Sequence, residues 1–299
     1  MDGILNVYKE AGWTSNDVVQ KLRGILKTRK VGHGGTLDPA VTGVLPVAVG
    51  KATRLLEYMD GGGKIYEGEV TLGFSTETED AEGAVVERKS VAPEELTEAE
   101  VDAAMTSFVG KIHQTPPMYS AVKVNGRKLY EYARAGQTVE RPVREIEIRE
   151  FSRTSALEFN AADKTLKFRF RAACSRGTYI RTLAVDLSAK LGYPGHMSGL
   201  QRTMANGLDI GSAKTLKEIE EARDSSSLSD ILLPLKFAVS ELTKAELSPS
   251  DFEDIRVGKK IKSPQLAEIG EPVAVFYENQ LVGVCLQLEN ELKPKKILI

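Results

Sequence analysis

Apolar residues along the chain recur at two spacings, one typical of helices and the other of strands. Thr14, followed three residues later by Asp17, predicts a helix start, and the apolar residues behind it fall on one helical face. Residues 44–49 are apolar and predict a buried strand, which a helix follows from about Ala52. Residues 66–74 alternate and predict another strand. The first part of the chain therefore mixes strands with helices.

The region 119–145 has the pattern of a projecting insertion. Asn125-Gly126 is a strong tight-turn pair, and it follows a predicted strand over residues 119–124. Residues 129–134 then fit a short helix. We expect a hairpin-like insertion here.

A strand, a turn and a helix are predicted between residues 166 and 191. The apolar residues of 166–172 alternate with Lys167, Arg169 and Arg171, so the strand has one buried and one basic face. Its basic face is expected to meet either solvent or a ligand. After the break at 175–177, apolar residues fall at helical spacing up to Leu191. This arrangement places Tyr179 and Arg181 near a helix N-terminus.

The last part of the chain changes pattern twice. Residues 215–240 are helical and acidic, and from about residue 246 short β segments take over. We predict an α+β protein in which a large domain with a mixed sheet spans residues 1–243 and a small β domain spans residues 244–299.

Composition excludes several classes of protein. The chain has 299 residues, and its 41% hydrophobic and 27% charged content is that of a folded globular protein. Residues 1–13 carry charges where a secretory signal would be apolar, and the longest apolar stretch is far below the roughly 20 residues of a membrane helix. Cys174 and Cys285 fit no disulfide framework. We expect a cytoplasmic protein with no membrane partner.

The charges are segregated, although 40 basic residues nearly balance 42 acidic ones. Residues 18–37 and 164–185 contain basic residues and no acid, whereas acids crowd residues 77–102 and 218–230. Such runs are either solvated faces or local surfaces for an anionic partner. The sequence leaves both interpretations open.

The sequence only partly matches the motifs that bind common cofactors. A phosphate-loop motif around Gly50-Lys51 would need a glycine at the position of Leu45. It would also need a Ser or Thr at the position of Ala52. A dinucleotide fingerprint from Gly32 fails at Leu37. The histidines, His33, His113 and His196, have no metal-ligand spacing. The sequence therefore predicts no cofactor and no metal.

What remains is a lone carboxylate, Asp38, in the glycine-rich segment 32–39, which predicts a loop. An Asp-Pro pair after glycines is usually a turn. The pair alone does not distinguish a turn from a catalytic group.

The surrounding residues add a resemblance to a known family. The loop Gly32-His33-Gly34-Gly35-Thr36-Leu37-Asp38-Pro39 with Thr42-Gly43 and Leu45-Pro46 resembles the signature loop of the bacterial TruB family of tRNA pseudouridine-55 synthases. Other stretches similar to that family are Lys64-x-Tyr66, Gln114 to Ala121, Lys128 to Arg134 and Cys174 to Arg181. The resemblance reaches to about residue 205, and the C-terminal domain resembles the PUA RNA-binding module weakly.

The resemblance implies the pseudouridine synthase fold, with a mixed, mainly antiparallel central sheet, and roles for particular residues. It implies that Asp38 is the nucleophile or essential carboxylate, that Arg181 is its guanidinium partner, and that Tyr66 stacks on the base and transfers a proton. It further implies that His33, Tyr179 and Leu200 help to bind the flipped uridine. The chemistry needs no redox step or group donor, because one glycosidic bond is broken and its carbon rejoined.

The same resemblance implies tRNA as partner, bound through its T-arm, with no guide RNA. The insertion 119–145 and the C-terminal domain would bind RNA, and we expect a monomer. Candidate phosphate contacts, which position RNA without reading its sequence, are Lys27, Arg29, Lys30, Lys167, Arg169 and Arg171. Two alternatives stay open, a non-catalytic RNA-binding or RNA-folding protein and a guide-dependent relative.

Overall fold

The computed structural model describes residues 1–59 and 62–299. The chain divides into two units that each combine distant segments. The first unit contains Met1–Pro39, Val44–Gly62 and Gly211–Ile299, and the second contains Ala40–Gly43 and Gly63–Ile210.

The strands are β1 Gly3–Lys9, β2 Val31–His33, β3 Thr42–Val49, β4 Lys64–Leu72, β5 Phe74–Thr76, β6 Val85–Arg88, β7 Gly110–Gln114, β8 Lys123–Val124, β9 Arg127–Lys128, β10 Arg144–Arg153, β11 Glu158–Asn160, β12 Thr165–Cys174, β13 Gly195–Ala205, β14 Leu208–Asp209, β15 Leu232–Leu233, β16 Thr243–Glu246, β17 Ile261–Lys262, β18 Pro272–Tyr277, β19 Gln280–Gln287 and β20 Glu291–Ile297. The α-helices are α1 Ser15–Leu26, α2 Glu98–Thr106, α3 Leu129–Arg134, α4 Ile180–Lys190, α5 Leu216–Asp224, α6 Leu228–Ile231 and α7 Pro249–Arg256. The segments Gly50–Gly62, Ile210–Ser212 and Leu235–Val239 are 3-10 helices.

The N-terminal part of the first unit packs α1 against a small sheet. Thr14 and Asp17 form the predicted capping box at the start of α1. The apolar face of this helix packs on β1 and β3 in a cluster that includes Leu22, Leu45 and Ile219. Strand β2 pairs antiparallel with β3. The first two residues of the segment 32–39, which was predicted as a loop, therefore belong to a short strand. The rest of that segment, which carries Asp38, is irregular and follows directly.

The C-terminal part of the first unit is the small β domain that the sequence predicts. Its five-stranded sheet has the order β16-β18-β19-β20-β17. A cluster of buried residues from the sheet and from α7 forms its core, including Ile255, Val273 and Leu292. Helix α7 was not predicted, although Ser248 caps it and Pro249 opens it. Its eight residues are too few for a clear periodic signal.

The second unit is built on a mixed, mainly antiparallel sheet, and this confirms the predicted fold class. Strands β13, β4, β12, β10 and β7 follow one another in antiparallel pairs. Thr42 and Gly43 of β3 pair parallel with Gln201 and Arg202 of β13. Phe168 and Phe170 of β12 are almost wholly buried, as the alternation of that strand predicts.

Two predicted elements differ in detail from those observed. The helix expected from Ala52 is a 3-10 helix that begins at Gly50. The strand expected over residues 119–124 is reduced to β8, because the Ser120 and Val122 carbonyls accept hydrogen bonds from the start of α3. The Asn125-Gly126 turn forms as predicted, with both residues at positive φ. None of the helices described is long and apolar enough to cross a membrane.

Candidate active site

Asp38 lies in an irregular segment whose peptides are fixed on both sides of it. Before it, the Ser15 hydroxyl donates to the Leu37 carbonyl at 3.1 Å and accepts from the Leu37 amide at 2.9 Å. After it, the Pro39 carbonyl accepts from the Lys9 ammonium and from the Gly12 amide, each at 3.0 Å. The Asp38 side chain is half-buried. Hydrogen bonds therefore fix the main chain on both sides of the Asp38 carboxylate.

Lys9 is the unexpected member of this arrangement. It ends β1 and is 0% exposed, and its ammonium also donates to the Trp13 carbonyl at 2.6 Å and the Glu10 carbonyl at 3.1 Å. An ammonium has three donors, and each has a carbonyl acceptor here. A lysine at the end of a strand normally reaches solvent, so the sequence shows no signal for this role.

His33, a predicted substrate-binding residue, lies on β2 opposite Val47 of β3. Its side chain is half-buried. The next residue is fixed by a 2.8 Å hydrogen bond from the Gly34 amide to the Pro46 carbonyl. His33 and Asp38 therefore stand at the two ends of one restrained segment of the first unit.

In the second unit, Tyr66 and Leu200 lie on one face of the sheet. Tyr66 of β4 is 7% exposed and pairs with Arg202 of β13, while Leu200 pairs with Gly68. Because alternate residues of a strand share a face, these positions are neighbours. A Cβ at Gly68 would lie 2.9 Å from the Leu200 side chain, so the glycine leaves the space that Leu200 uses.

Tyr179 and Arg181 lie at the start of α4. The Gln114 side chain donates to the Tyr179 carbonyl at 3.0 Å and accepts from its amide at 2.8 Å, which fixes the chain as it enters the helix. Arg181 is 6% exposed. Its guanidinium donates to the Thr78 carbonyl at 2.8 Å and the Tyr119 carbonyl at 2.9 Å, and its Nε is 3.9 Å from an Asp80 carboxylate oxygen.

The candidate phosphate contacts fall into two groups. Lys27, Arg29 and Lys30 are exposed, and their side chains form no ion pair within the described residues. Lys27 and Arg29 line an open cavity of about 550 Å³ at the end of α1, and Arg23 also lines it.

The basic face of β12 is different. Lys167 lies 3.6 Å from both Glu69 and Glu158, and Arg171 forms a salt bridge with Glu150. Acids on the neighbouring strands thus compete with phosphate at these two positions. Arg169 is exposed.

Neither cysteine has the environment of a reactive thiol. Both are buried and free. Burial raises the pKa of Cys174 to about 11 and that of Cys285 to about 12, so both are protonated at neutral pH.

No group of three or more His, Cys, Asp or Glu side chains in residues 1–59 and 62–299 could hold a metal ion.

Known structures share this architecture. A crystal structure of a Cbf5–Nop10–Gar1 complex matches 99% of this chain and 85% of the compared chain, at 26% identity and a TM-score of 0.76. The fold is therefore that of the pseudouridine synthases.

Family models and curated relatives are more specific. The model of the TruB family pseudouridylate synthase N-terminal domain matches residues 23–180, and that of the tRNA pseudouridylate synthase B C-terminal domain matches residues 181–240. A tRNA pseudouridine synthase B of Lactococcus lactis subsp. cremoris is 56% identical over 100% of this chain and 99% of its own. One of Streptococcus mutans is 54% identical over 100% of both chains. The chain belongs to the TruB family of pseudouridylate synthases.

The role of Lys9 leads to a stability prediction. Replacing Lys9 with Met removes the buried ammonium that donates to three main-chain carbonyls, and we expect the free energy of unfolding to fall by about 2 to 4 kcal/mol. Urea unfolding measures this, with Lys21→Met on the exposed side of α1 as the control, for which a change within about 0.5 kcal/mol is expected. Equal stability of the two variants would contradict the role given to Lys9.

Proposed function

We propose that this chain converts the T-loop uridine of tRNA, at position 55, to pseudouridine, with Asp38 as the essential carboxylate. The observation that carries the proposal is the geometry of the Asp38 loop, in which hydrogen bonds fix the residues before and after a half-buried acid. The curated relatives support the substrate, since they are named tRNA pseudouridine synthase B.

The reaction explains why a fixed acid is needed. The bond between C1′ and N1 breaks, the uracil turns, and its C5 joins C1′, after which C5 gives up its proton and N1 holds one. C1′ becomes electron-poor as the bond breaks, as in glycoside cleavage. A carboxylate can attack C1′, or it can take a proton from C2′ to form a glycal. Either route requires one oxygen at a defined place, because a small displacement is costly when reactants are preassembled.

The other site residues keep the roles that the family resemblance implies, as parts of this proposal. Arg181 is the guanidinium partner that the resemblance implies for Asp38, Tyr66 stacks on the base and relays the C5 proton, and Tyr179 and Leu200 bind the uracil. The fixed entry of α4 and the shared face of Tyr66 and Leu200 support these roles. His33 holds the nucleotide after it leaves the stack, since an enzyme reaches a base in structured RNA only by extruding it.

Transfer RNA is the proposed partner, bound by the monomer in the cytoplasm without a guide RNA. The exposed cations Lys27, Arg29 and Lys30 support a phosphate contact because no acid occupies them in the described residues. In the insertion, Arg127 lies over the Tyr132 ring at 4.5 Å, so this surface also combines charge with aromatic area. The C-terminal β domain, proposed to begin at Lys244, adds a further RNA surface.

The decisive variant is Asp38→Asn, which keeps the size of the side chain and removes its charge. We expect tRNA binding to persist and the single-turnover rate to fall by at least about 1000-fold, because the amide can neither attack C1′ nor accept its proton. Pseudouridine is mapped in an unmodified tRNA transcript incubated with the protein alone, and a transcript with cytidine at position 55 is the substrate control.

Glu10→Gln, an exposed acid near the same loop, is the matched protein control and should keep the wild-type rate. An Asp38→Asn variant that retains more than about a tenth of that rate would contradict the assignment. A wild-type chain that binds the transcript but modifies it only with a guide RNA, or never, would support one of the two alternative functions.

The basic turn after α1 gives a separate prediction for binding. Replacing Lys27, Arg29 and Lys30 with Gln should weaken tRNA affinity and lower the slope of log affinity against log salt by about two to three units, one for each lost phosphate contact. The matched control replaces Lys111, Arg149 and Lys217 with Gln; these residues are exposed, ion-paired with neighbouring acids and outside the proposed RNA surfaces. If both triple variants change the slope equally, the basic turn is no specific contact.

A further inference from the structure

Glu79 lies in the segment between β5 and β6 and has an unusual backbone. Its φ is 65°, in the left-handed region that side chains other than glycine rarely adopt. Three contacts hold it there: its amide donates to the Thr76 carbonyl at 3.2 Å, its carbonyl accepts from the Met197 amide at 3.1 Å, and its carboxylate accepts from the Thr182 hydroxyl at 2.7 Å. Strain of this kind persists only where surrounding contacts impose it.

The same segment supplies acceptors for Arg181. The Thr78 carbonyl accepts from the Arg181 guanidinium, and the Asp80 carboxylate lies 3.9 Å from its Nε. The Thr78 hydroxyl and the Glu82 amide in turn donate to the Asp80 carboxylate. Residues on either side of Glu79 thus hold the guanidinium.

Thr182 follows Arg181 directly in the first turn of α4. The bond from Thr182 to Glu79 therefore connects the acceptor segment to the helix turn that carries the guanidinium. Glu79 is placed to fix the distance between the two.

Burial disfavours the ionised form of the Glu79 carboxylate. Burial raises its pKa above the usual range, the Thr182 hydrogen bond and the Arg181 and Arg141 guanidinium groups oppose that rise, and the Asp186 carboxylate on α4 adds to it. The positive N-terminal end of α4 also favours the ionised form.

Two more charged or titratable groups face this region. The Asp80 carboxylate follows Glu79 in the chain, and it acts on His196 of β13, whose pKa burial lowers.

We infer that Glu79 is a positioning residue: its ionised carboxylate ties the segment 76–83 to the first turn of α4 and so fixes the Arg181 guanidinium in its working orientation. When Glu79 is neutral the tie weakens, the segment relaxes from its strained backbone, and the guanidinium loses the fixed acceptors that this segment supplies, the Thr78 carbonyl and the Asp80 carboxylate. Glu79 does not touch the uridine. The inference rests on the proposed function, because the orientation matters only if Arg181 serves the reaction.

The test compares the full-length wild type with Glu79→Gln, which keeps size and an acceptor for Thr182 but not the charge. At neutral pH we expect the single-turnover rate on the tRNA transcript to fall about tenfold, with tRNA affinity within about twofold of wild type. The acid side of the rate profile should move to lower pH in the variant, because one of the groups whose protonation slows the wild type is gone. Glu77→Gln, an exposed acid in the same segment, is the matched control and should keep the wild-type profile.

Stability separates positioning from a merely structural role. A carboxyl with a raised pKa in the folded chain contributes stability below its unfolded pKa, and this contribution is lost as pH rises through the folded value. The amide does not titrate. The melting temperature of Glu79→Gln relative to wild type should therefore increase from acidic to neutral pH, while its rate stays low. A variant that is less stable at neutral pH and slow only in proportion to unfolding would overturn the inference.

A second pair of variants tests the tie itself. Thr182→Val removes the hydroxyl donor and should slow the reaction as Glu79→Gln does, whereas Thr182→Ser should restore the rate. Hydrogen exchange of amides 76–83 in the RNA-free protein should be faster in Glu79→Gln and Thr182→Val than in Glu77→Gln. This readout needs no catalysis, so it stands even if the wild type makes no pseudouridine. Unchanged exchange together with an unchanged rate profile would overturn the role of Glu79.

Discussion

The structure around Asp38 depends on one buried ammonium. Lys9 has no contact with solvent, and its three donors reach the carbonyls of Glu10, Trp13 and Pro39. A segment rich in glycine loses much conformational freedom on folding and cannot fix a side chain by itself. The ammonium supplies that constraint, because moving the Pro39 peptide would take one of the carbonyl acceptors away from a buried charge. The Ser15 hydroxyl does the same for the peptide before Asp38.

In the second unit, main-chain groups fix the Arg181 guanidinium in a similar way. Main-chain carbonyls of Thr78 and Tyr119 accept from Arg181, and the nearest Asp80 oxygen is 3.9 Å from its Nε. Carbonyl oxygens accept from the N–H groups of a guanidinium and so fix its orientation. Backbone groups thus fix the segment that carries the Asp38 carboxylate and orient the Arg181 guanidinium, which suits a reaction that depends on placement and charge.

The sequence predicts local structure better than it predicts these constraints. The Thr14 cap, the Asn125-Gly126 turn and the alternation of β12 each depend on neighbours in the chain, and all three form as predicted. Lys9 and Glu79 gain their roles from contacts that form only when the chain folds. Neither residue therefore stands out in the sequence. The basic face of β12 shows the same limit, since its glutamate partners lie on neighbouring strands.

We propose that the position of the Asp38 carboxylate, and not only its charge, is essential for the reaction. Asp38→Glu tests this most directly, because it keeps the charge and moves the acid by one methylene while the contacts of Leu37 and Pro39 remain. The measurement is its single-turnover rate on the unmodified tRNA transcript at saturating protein. We expect a loss of at least about 100-fold with binding retained, since a displacement of about 1 Å at a preassembled site is enough for that. A rate within about threefold of wild type would contradict it.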